Sequence, residues 1–317
     1  MRVLPARCQT TLREIQYSSG DLVADRRASY AAALAAERAF PEAADLMAQA
    51  LEMVPQWVAG WNLLGGYREA AGDIAGAVVA WTQLLQLDAK GLFGAALKLA
   101  AHGAGGSTEA APAYVEALFD DYAPRFEDAL VGRLGYRTPE ALETMIRAVM
   151  VTRGIGRFGR VLDLGCGTGL MGGRLRPLVE RLEGVDLSAR MLGEARRKGI
   201  YDRLEKDDLK AVLDQEQASI DLIVAADVLN YVGALEAPLA SAGRALRRGG
   251  IVAFSLETHG GSEPVRLGTS LRFQHAVEPT LEICRTAGLE VISAEPVVIR
   301  MDRGLPVDGM IVLAERV

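Results

Sequence analysis

One aspartate and three glycines within residues 163–169 form the strongest chemical signal in this sequence. An apolar run breaks there into Gly165, Gly167 and Gly169, which predicts a buried strand, a tight turn and the start of a helix. Glycines at such a turn can adopt positive φ angles and let a ligand lie directly against the main chain. The helix that follows points free N–H groups at the same ligand, so the turn is a candidate binding site.

Asp163 and the glycine spacing distinguish between two kinds of ligand. Asp163 lies two residues before Gly165, where a dinucleotide-binding strand is apolar, and the glycines lack the spacing that seats a pyrophosphate. A carboxylate at this point suits a cationic ligand that carries an amino group and no phosphate. A nicotinamide-dependent oxidoreductase is therefore the disfavoured alternative. Cys166, between two glycines, is interpreted as a small turn residue and not as a nucleophile.

Acidic residues at later strand ends extend the pattern. Asp186 ends a second apolar run, where an acid accepts hydrogen bonds from the two hydroxyls of a ribose. Ser188 is the expected N-cap of the helix that follows. Asp208 is expected at the end of a third strand, where it suits an adenine amino group, and residues 219–229 are predicted to contain a fourth buried strand. Taken singly, each acid also fits a turn former or a helix cap.

Taken in order, these landmarks resemble the class I S-adenosylmethionine (SAM)-dependent methyltransferases over roughly residues 112–317. The resemblance implies an α/β fold with a seven-stranded, Rossmann-like sheet of strand order 3-2-1-4-5-7-6, whose last strand, residues 310–314, is antiparallel. It also implies SAM as the cofactor and S-adenosylhomocysteine as the product. The cofactor-binding residues that it implies are Tyr122, Asp163, Gly165, Cys166, Gly167, Thr168, Gly169, Asp186, Leu187, Met191, Asp208, Leu209 and Ala226.

The acceptor side of such an enzyme is expected at the carboxyl ends of the fourth and later strands. Methyl transfer is an in-line displacement, so alignment and desolvation matter most, and a base is needed only where the acceptor must lose a proton. Asp227 and Tyr231 follow the fourth strand, and the family carries an Arg-Phe-x-His stretch comparable to residues 272–275. These observations nominate Asp227, Tyr231 and His275 as catalytic residues, although a lone histidine is more often structural. The acceptor is expected to be a small molecule, methylated on oxygen, nitrogen or carbon.

Aromatic residues before the first strand resemble the helical lid of small-molecule methyltransferases, which the resemblance extends over residues 114–152. Tyr114, Leu118 and Tyr122 share a helix face, with Phe119 adjacent to it. In this interpretation they cover the methionine end of SAM, and the Tyr122 hydroxyl binds its carboxylate. The alternative is that each one is a core residue that anchors the helix.

Residues 1–103 have a different character, because they are rich in alanine and their apolar residues recur at helical spacing. A repeat of about 34 residues, with Trp61, Gly65 and Trp81 at the expected offsets, resembles the tetratricopeptide (TPR) repeat. Residues 104–113 are then a glycine-rich linker. A TPR module implies a protein partner or self-association, and the alternative is a stabilising appendage. The whole chain thus resembles bacterial predicted methyltransferases that contain TPR repeats.

Composition argues against several other classes. The net charge is −6 and no cluster of Lys or Arg occurs, which argues against a nucleic-acid substrate. Three scattered cysteines indicate neither a disulfide framework nor a metal site. The sequence lacks a signal-peptide core and any run of about eighteen apolar residues, so we expect a cytoplasmic protein without a membrane segment.

The sequence therefore predicts a SAM-dependent methyltransferase that acts on a small molecule. The alternative is a TPR scaffold or adaptor whose SAM fold is a non-catalytic binding or sensory module. The presence of Asp163, the three glycines and Asp186 favours ligand binding, but it does not distinguish turnover from sensing.

Overall fold

The computed structural model describes residues 17–123, 126–127, 135–302 and 304–317. The chain forms two compact units, Met1–Ala111 and Pro112–Val317. The boundary between the units falls inside residues 104–113, the segment predicted as a linker. In the described part of the chain, no helix is both long and apolar enough to cross a membrane.

The described part of the first unit is helical, as its composition predicts. Asp21 and Asp73 cap the first and fourth of these helices by accepting hydrogen bonds from main-chain N–H groups. The fold of this unit is confirmed as helical, while its assignment to the TPR family stays a prediction. The helices are α1 (Leu22–Ala36), α2 (Phe40–Met53), α3 (Val58–Ala70), α4 (Ile74–Leu87) and α5 (Ala95–Ala101).

Small residues let the helices of this unit approach closely. A methyl group on Gly65 in α3 would lie only 2.5 Å from Trp81 Cδ1 in α4, and the Trp81 side chain is buried. Gly60 is in the same situation, because a methyl group there would lie 2.7 Å from Trp57 Cε3. The two tryptophan rings therefore fill space that glycine leaves open, which agrees with the interpretation of Gly65 and Trp81 from the sequence.

The second unit is a sheet flanked by helices. Its strands are β1 (Phe158–Leu164), β2 (Val179–Asp186), β3 (Arg203–Lys206), β4 (Ile220–Ala225), β5 (Leu246–Thr258), β6 (Val265–Leu267), β7 (Phe273–His275), β8 (Leu289–Asp302) and β9 (Leu305–Arg316). Its helices are α6 (Pro112–Tyr122), α7 (Thr138–Arg153), α8 (Leu170–Leu175), α9 (Ala189–Lys198), α10 (Leu209–Gln215), α11 (Glu236–Ala245) and α12 (Val277–Thr286).

The strand order of the sheet agrees with the order that the resemblance implies. β1 to β5 are parallel and lie in the order β3-β2-β1-β4-β5. β9 runs antiparallel to β5, and β8 runs antiparallel to β9. If β6 and β7 are left out and the other seven strands are numbered along the chain, β8 becomes strand 6 and β9 becomes strand 7. The order of the sheet is then 3-2-1-4-5-7-6, which confirms the prediction. The last strand is antiparallel as predicted, but it is longer than residues 310–314.

The sheet has nine strands and not the seven that were predicted. The two additional strands are β6 and β7, which pair with each other in antiparallel fashion. β7 also pairs in parallel with Glu257 and Thr258, beyond the point where β4 ends. A strand of three residues is too short to show an alternating pattern, so hydrophobic periodicity could not reveal this pair.

The sheet is buried on both faces, as a mainly parallel sheet requires. One core cluster contains Leu164 and Phe254 and extends to the apolar faces of α10, α11 and α12. The other contains Val161 and Ile311 and extends to α7 and α8. Successive residues of a strand point to opposite faces of the sheet, so alternate side chains of the same strand enter the two clusters.

The predicted lid segment, residues 114–152, corresponds to two helices of different character. α6 contains no fully buried residue. α7 buries Leu142 and Ile146 in the core, and the assignment of the segment as a lid stays a prediction. Residues 124–125 and 128–134 of the segment lie outside the described part of the chain.

We predict that residues 112–317, produced without the helical unit, unfold in a cooperative thermal transition. Both core clusters of the sheet lie within this range, so removal of the first unit leaves them complete. Circular dichroism during heating measures the transition, with the full-length chain as the control. A gradual loss of signal without a transition would show that the sheet depends on the first unit.

Candidate functional site

The turn between β1 and α8 places its three glycines in the left-handed region. The φ angles are 57° at Gly165, 53° at Gly167 and 87° at Gly169. A methyl group on Gly165 would lie 2.5 Å from Val228 Cγ2, so protein already fills that space. At Gly167 the nearest heavy atom, Phe126 Cε1, would be 3.9 Å away. Gly167 is therefore the glycine of this turn whose surface is most open to a ligand.

Asp186, at the end of β2, is hydrogen-bonded to the glycine turn. Its Oδ2 accepts from Gly167 N–H at 2.9 Å, and its Oδ1 accepts from Ser188 N–H at 2.8 Å. Ser188 caps α9 as predicted, because its hydroxyl accepts from Met191 N–H at 3.0 Å. Burial raises the pKa of Asp186 above its usual range. Each carboxylate oxygen has a second lone pair, so the group can also accept from a ligand with two neighbouring hydroxyls.

Asp163 lies inside the sheet near the end of β1, where 1% of its surface is exposed. Its Oδ2 accepts a hydrogen bond of 2.6 Å from the Tyr201 hydroxyl, and burial raises its pKa to about 7. Burial also raises the pKa of the Cys166 thiol well above the usual range. The thiol is therefore neutral, which agrees with its interpretation as a small turn residue. Sequence analysis missed Tyr201, because a single tyrosine before a short strand forms no motif.

The other predicted cofactor residues differ in what they can offer a ligand. Met191 is fully buried in the structure, and its role in cofactor binding stays a prediction. Asp208 is the N-cap of α10 and accepts from two main-chain N–H groups, which is the alternative that the sequence left open. Leu187, Leu209 and Ala226 are half-buried, as Asp208 is.

Polar contacts connect α6 and the residues after it to the glycine turn and α9. The Ser188 hydroxyl donates to Asp120 Oδ1 at 2.6 Å. Glu127 Oε1 accepts from the Thr168 hydroxyl at 2.5 Å and from Lys198 Nζ at 2.6 Å. Thr168, which was predicted as a cofactor residue, thus contacts the lid segment directly.

Aromatic rings of the lid segment contact one another and a residue after β4. Tyr122 and Phe126 meet edge to face, with ring centroids 5.5 Å apart. Phe119 lies edge to face against both Phe126, at 6.3 Å, and Tyr231, at 5.2 Å. The lid therefore reaches two sets of predicted site residues, one at the glycine turn and one after β4.

A cluster of charged side chains lies at the carboxyl ends of β4 and β5. Arg272 donates to Glu257 Oε1 at 2.5 Å, to the Tyr231 hydroxyl at 2.6 Å and to Asp227 Oδ1 at 2.7 Å. Its guanidinium carbon also lies 4.8 Å from the centre of the Tyr231 ring. Arg300 donates to the same Glu257 oxygen at 2.6 Å. Two carboxylates and two guanidinium groups thus balance in charge.

Hydrogen bonds hold Asp227 in an uncommon backbone conformation, with a φ angle of 60°. Its N–H donates to the Ser255 hydroxyl at 2.8 Å. Asn230 is fully buried, and it donates to the Asp227 carboxylate while its Oδ1 accepts from Glu257 N–H at 2.9 Å. The ends of β4 and β5 are therefore tied together, and the Asp227 carboxylate is fixed.

The structure does not bring His275 into this cluster. Its Nε2 lies 3.2 Å from the Gly233 carbonyl oxygen, to which it donates, and its buried Nδ1 has no partner among the described residues. Burial lowers the pKa of the imidazole, so the ring is neutral at pH 7. The role of His275 as general base therefore stays a prediction, since a neutral imidazole with an unpartnered Nδ1 can still accept a proton. In the described part of the chain, no group of three or more His, Cys, Asp or Glu is placed to hold a metal ion.

Arg272 and Arg300 are site residues that sequence analysis did not assign. Arg272 lies within the Arg-Phe-x-His stretch, but its three partners are 15 to 45 residues away in sequence. Only the fold brings such partners together. The sequence signal for Arg272 was its position three residues before His275, in the stretch comparable to the family's. The histidine of that stretch is the more familiar catalytic residue, so it was nominated and the arginine was not.

Comparison with known proteins agrees with this geometry. Residues 161–250, from β1 into β5, match a protein-family model described as a methyltransferase domain. A malonyl-[acyl-carrier protein] O-methyltransferase from Enterobacter lignolyticus is 32% identical over 141 residues, which cover 44% of this chain and 52% of that enzyme. A TPR repeat-containing protein from Pseudomonas aeruginosa is 51% identical over 41 residues, which cover 13% of this chain and 39% of that protein. The chain thus spans about half or less of the length of these curated relatives.

A solved SAM-dependent methyltransferase from Clostridium acetobutylicum is 18% identical, with a TM-score of 0.46, over 62% of this chain and 98% of that one. The family match, the strand order and the glycine turn confirm the predicted SAM-dependent methyltransferase domain in the second unit. The similarity of the first unit to a TPR protein covers a short segment, and its assignment stays a prediction.

We predict that Arg272→Gln lowers the free energy of unfolding by about 3–5 kcal/mol, because it removes the common partner of two buried carboxylates, Asp227 and Glu257. The matched control is Arg266→Gln, which removes an exposed ion pair with Glu263 and should change the stability little. Urea unfolding measures both variants. Equal, small changes in the two would show that the buried cluster does not stabilise the fold.

Proposed function

We propose that this chain transfers the methyl group of SAM to an oxygen atom of a small molecule. The observation that carries the proposal is the open surface at Gly167, whose N–H is held by the Asp186 carboxylate at the end of the adjacent strand. This arrangement suits a ligand that contacts the main chain and presents two hydroxyls to the acid. The methyltransferase-domain match over residues 161–250 supports the assignment.

In the proposed complex, the adenosine of SAM lies across the carboxyl ends of β2 and β3. The ribose hydroxyls donate to Asp186, and the adenine amino group donates to Asp208, whose Oδ1 already caps α10. Leu187 and Leu209 are half-buried, and in the complex they flank the adenine. The methionine portion then extends along the glycine turn towards Asp163, whose carboxylate suits its ammonium group.

The lid segment is proposed to close over the methionine end of SAM. Tyr122 lies edge to face against Phe126, and Phe126 is the residue closest to the open surface of Gly167. α6 has no fully buried residue, but Tyr122 and Phe126 pack against the buried Tyr136 and Ile299, so opening the lid would uncover that small apolar cluster. The hydrogen bonds from Thr168 and Lys198 to the lid would hold it in the closed position.

The methyl acceptor is proposed to bind between the lid rings and the charged cluster. The Tyr231 hydroxyl accepts a hydrogen bond from Arg272, so it keeps its own hydrogen for donation to an acceptor oxygen. Phe119 and Tyr231 provide an aromatic wall. Since the charges of the cluster balance, the site suits a neutral hydroxyl compound with a flat apolar body better than a strongly anionic one.

The proposed reaction needs few chemical groups from the protein. The acceptor oxygen attacks the methyl carbon of SAM, the carbon–sulfur bond breaks, and S-adenosylhomocysteine leaves with the electron pair. The proton of the hydroxyl passes to the Asp227 carboxylate, which the contacts with Arg272 and Asn230 hold in place. Alignment of the two reactants and exclusion of water supply most of the rate enhancement.

A transfer assay tests the proposal directly. The full-length chain is incubated with SAM labelled in its methyl group and with a panel of phenols, alcohols and carboxylic acids. We expect label on oxygen, with the neutral phenols and alcohols preferred over the acids. Binding of S-adenosylhomocysteine without transfer to any compound would favour the alternative, a non-catalytic SAM-binding module. The absence of binding would contradict both.

The helical unit is proposed to serve partner binding or self-association. The similarity to a TPR repeat-containing protein from Pseudomonas aeruginosa, over 41 residues, supports this proposal. Light scattering on the full-length chain and on residues 112–317 compares their molar masses. If both are monomers and no protein is retained by the full-length chain, the unit is a stabilising appendage.

Asp186→Ala should weaken the binding of S-adenosylhomocysteine by about ten- to a hundredfold, because the ribose loses hydrogen bonds worth roughly 1.5–3 kcal/mol. Gly167→Val should abolish binding, because a side chain would occupy the open surface. Asp308→Ala, at an exposed position of β9, is the control. Calorimetry measures the affinities, and an unchanged value for Asp186→Ala would contradict the ribose-binding role.

Tyr231→Phe should lower kcat about tenfold while the affinity for S-adenosylhomocysteine stays the same, because the lost hydrogen bonds join the hydroxyl to the acceptor and to Arg272 and not to the cofactor. The matched control is Tyr30→Phe, since Tyr30 is exposed on the first unit. Steady-state kinetics with the accepted substrate gives kcat and KM. A fall in cofactor affinity would instead place Tyr231 in the cofactor site.

A further inference from the structure

Tyr201 occupies the space directly behind the glycine turn. A methyl group on Gly172 would overlap the Tyr201 hydroxyl, and one on Gly184 would lie 2.9 Å from its Cε1 atom. A methyl group on Gly169 would lie 3.1 Å from the Cε2 atom of the same ring. Three glycines on three different elements therefore leave room for a single side chain. Such a convergence indicates that the position of this ring matters to the turn.

The hydroxyl of this ring meets the acid of the first strand. Tyr201 donates to Asp163 Oδ2 at 2.6 Å, and the carboxylate is almost completely buried. The ionisable groups that face Asp163 are Asp186 at the end of β2, the Cys166 thiol in the turn and Tyr136 before α7. Within the described residues, no Lys or Arg pairs with this carboxylate.

We propose that Tyr201 is a positioning residue of the cofactor site, whose hydroxyl holds the Asp163 carboxylate in place for the cationic methionine end of SAM. This inference rests on the proposed function, because it requires that SAM binds at the glycine turn. It adds a residue that touches neither the cofactor nor the acceptor and acts through Asp163. It also explains why positions 172 and 184, outside the glycine turn, are glycines, since a side chain at either would meet the Tyr201 ring.

The inference has a consequence for the pH dependence of binding. Burial raises the pKa of Asp163 to about 7, and the hydrogen bond from Tyr201 acts in the opposite direction. A cationic ligand favours the charged carboxylate, so its affinity should rise as the pH increases through about 7. Removal of the hydroxyl should raise this pKa further and move the rise to higher pH. Burial raises the pKa values of Cys166 and Tyr136, so neither titrates in this range.

The test is Tyr201→Phe, which keeps the ring and removes only the hydroxyl. Calorimetry on the full-length chain between pH 6 and 8.5 compares S-adenosylhomocysteine, which carries the ammonium group, with adenosine, which does not. At pH 7 we expect the affinity for S-adenosylhomocysteine to fall about tenfold, and its rise with pH to shift upward by roughly one unit. The affinity for adenosine should stay within about twofold.

Asp163→Asn separates this role from simple packing. In the Asp163→Asn background, Tyr201→Phe should have no further effect on the pH dependence, because the group that titrates is gone. Thermal melts of each variant show whether the fold is retained. An equal loss of affinity for both ligands, or an unchanged pH dependence in Tyr201→Phe, would overturn the inference and leave the proposed function intact. A wild-type chain that binds neither ligand would overturn both.

Discussion

The hydrogen bond between Gly167 N–H and the Asp186 carboxylate joins the two halves of the cofactor site. β1 and β2 are parallel neighbours with Leu164 opposite Val185, so the turn after one strand meets the acid that ends the other. A shift of one residue in this register would turn the acid to the opposite face of the sheet. The left-handed glycines, the open surface and the acid that is proposed to bind the ribose therefore depend on one strand pairing.

Charge is distributed unevenly along the carboxyl edge of the sheet. At the ends of β1 and β2, Asp163 and Asp186 lie close enough to influence each other, and no Lys or Arg in the described part of the chain pairs with either. At the ends of β4 and β5, Asp227 and Glu257 are matched by arginines. The first region suits a cation and the second suits a neutral molecule.

The part of the site that the sequence predicted consists of local features. The glycine turn, the acid two residues before it and the N-cap at Ser188 each occupy a few consecutive residues, and the structure has all three as expected. The sheet order came from the resemblance and not from periodicity. β6 and β7 could not be predicted, because three residues carry no pattern.

The residues that were missed depend on contacts across the sequence. Tyr201 lies 38 residues from Asp163, and Arg272 lies 45 residues from Asp227, so no spacing rule connects them. His275 was nominated from a familiar stretch, and because its described contact is with the Gly233 carbonyl and not with the charged cluster, its role as a base stays a prediction. A side chain's chemistry is set by what the fold places beside it, and the sequence states only which side chain it is.

The attachment of α6 bears on the proposed lid, which must both admit and enclose the cofactor. The helix buries no residue completely, and the lid segment is held by hydrogen bonds and partly exposed ion pairs, each of which is worth about 0–1 kcal/mol in water. The lid rings also contact one another, Tyr231 and the buried Tyr136 and Ile299, so opening uncovers part of that apolar surface. The rings of Phe119, Tyr122 and Phe126 gain further apolar contact only when a ligand fills the space beneath them. A ligand that contacts the closed lid shifts the equilibrium by the energy of those contacts, so binding and closure are coupled without any additional device.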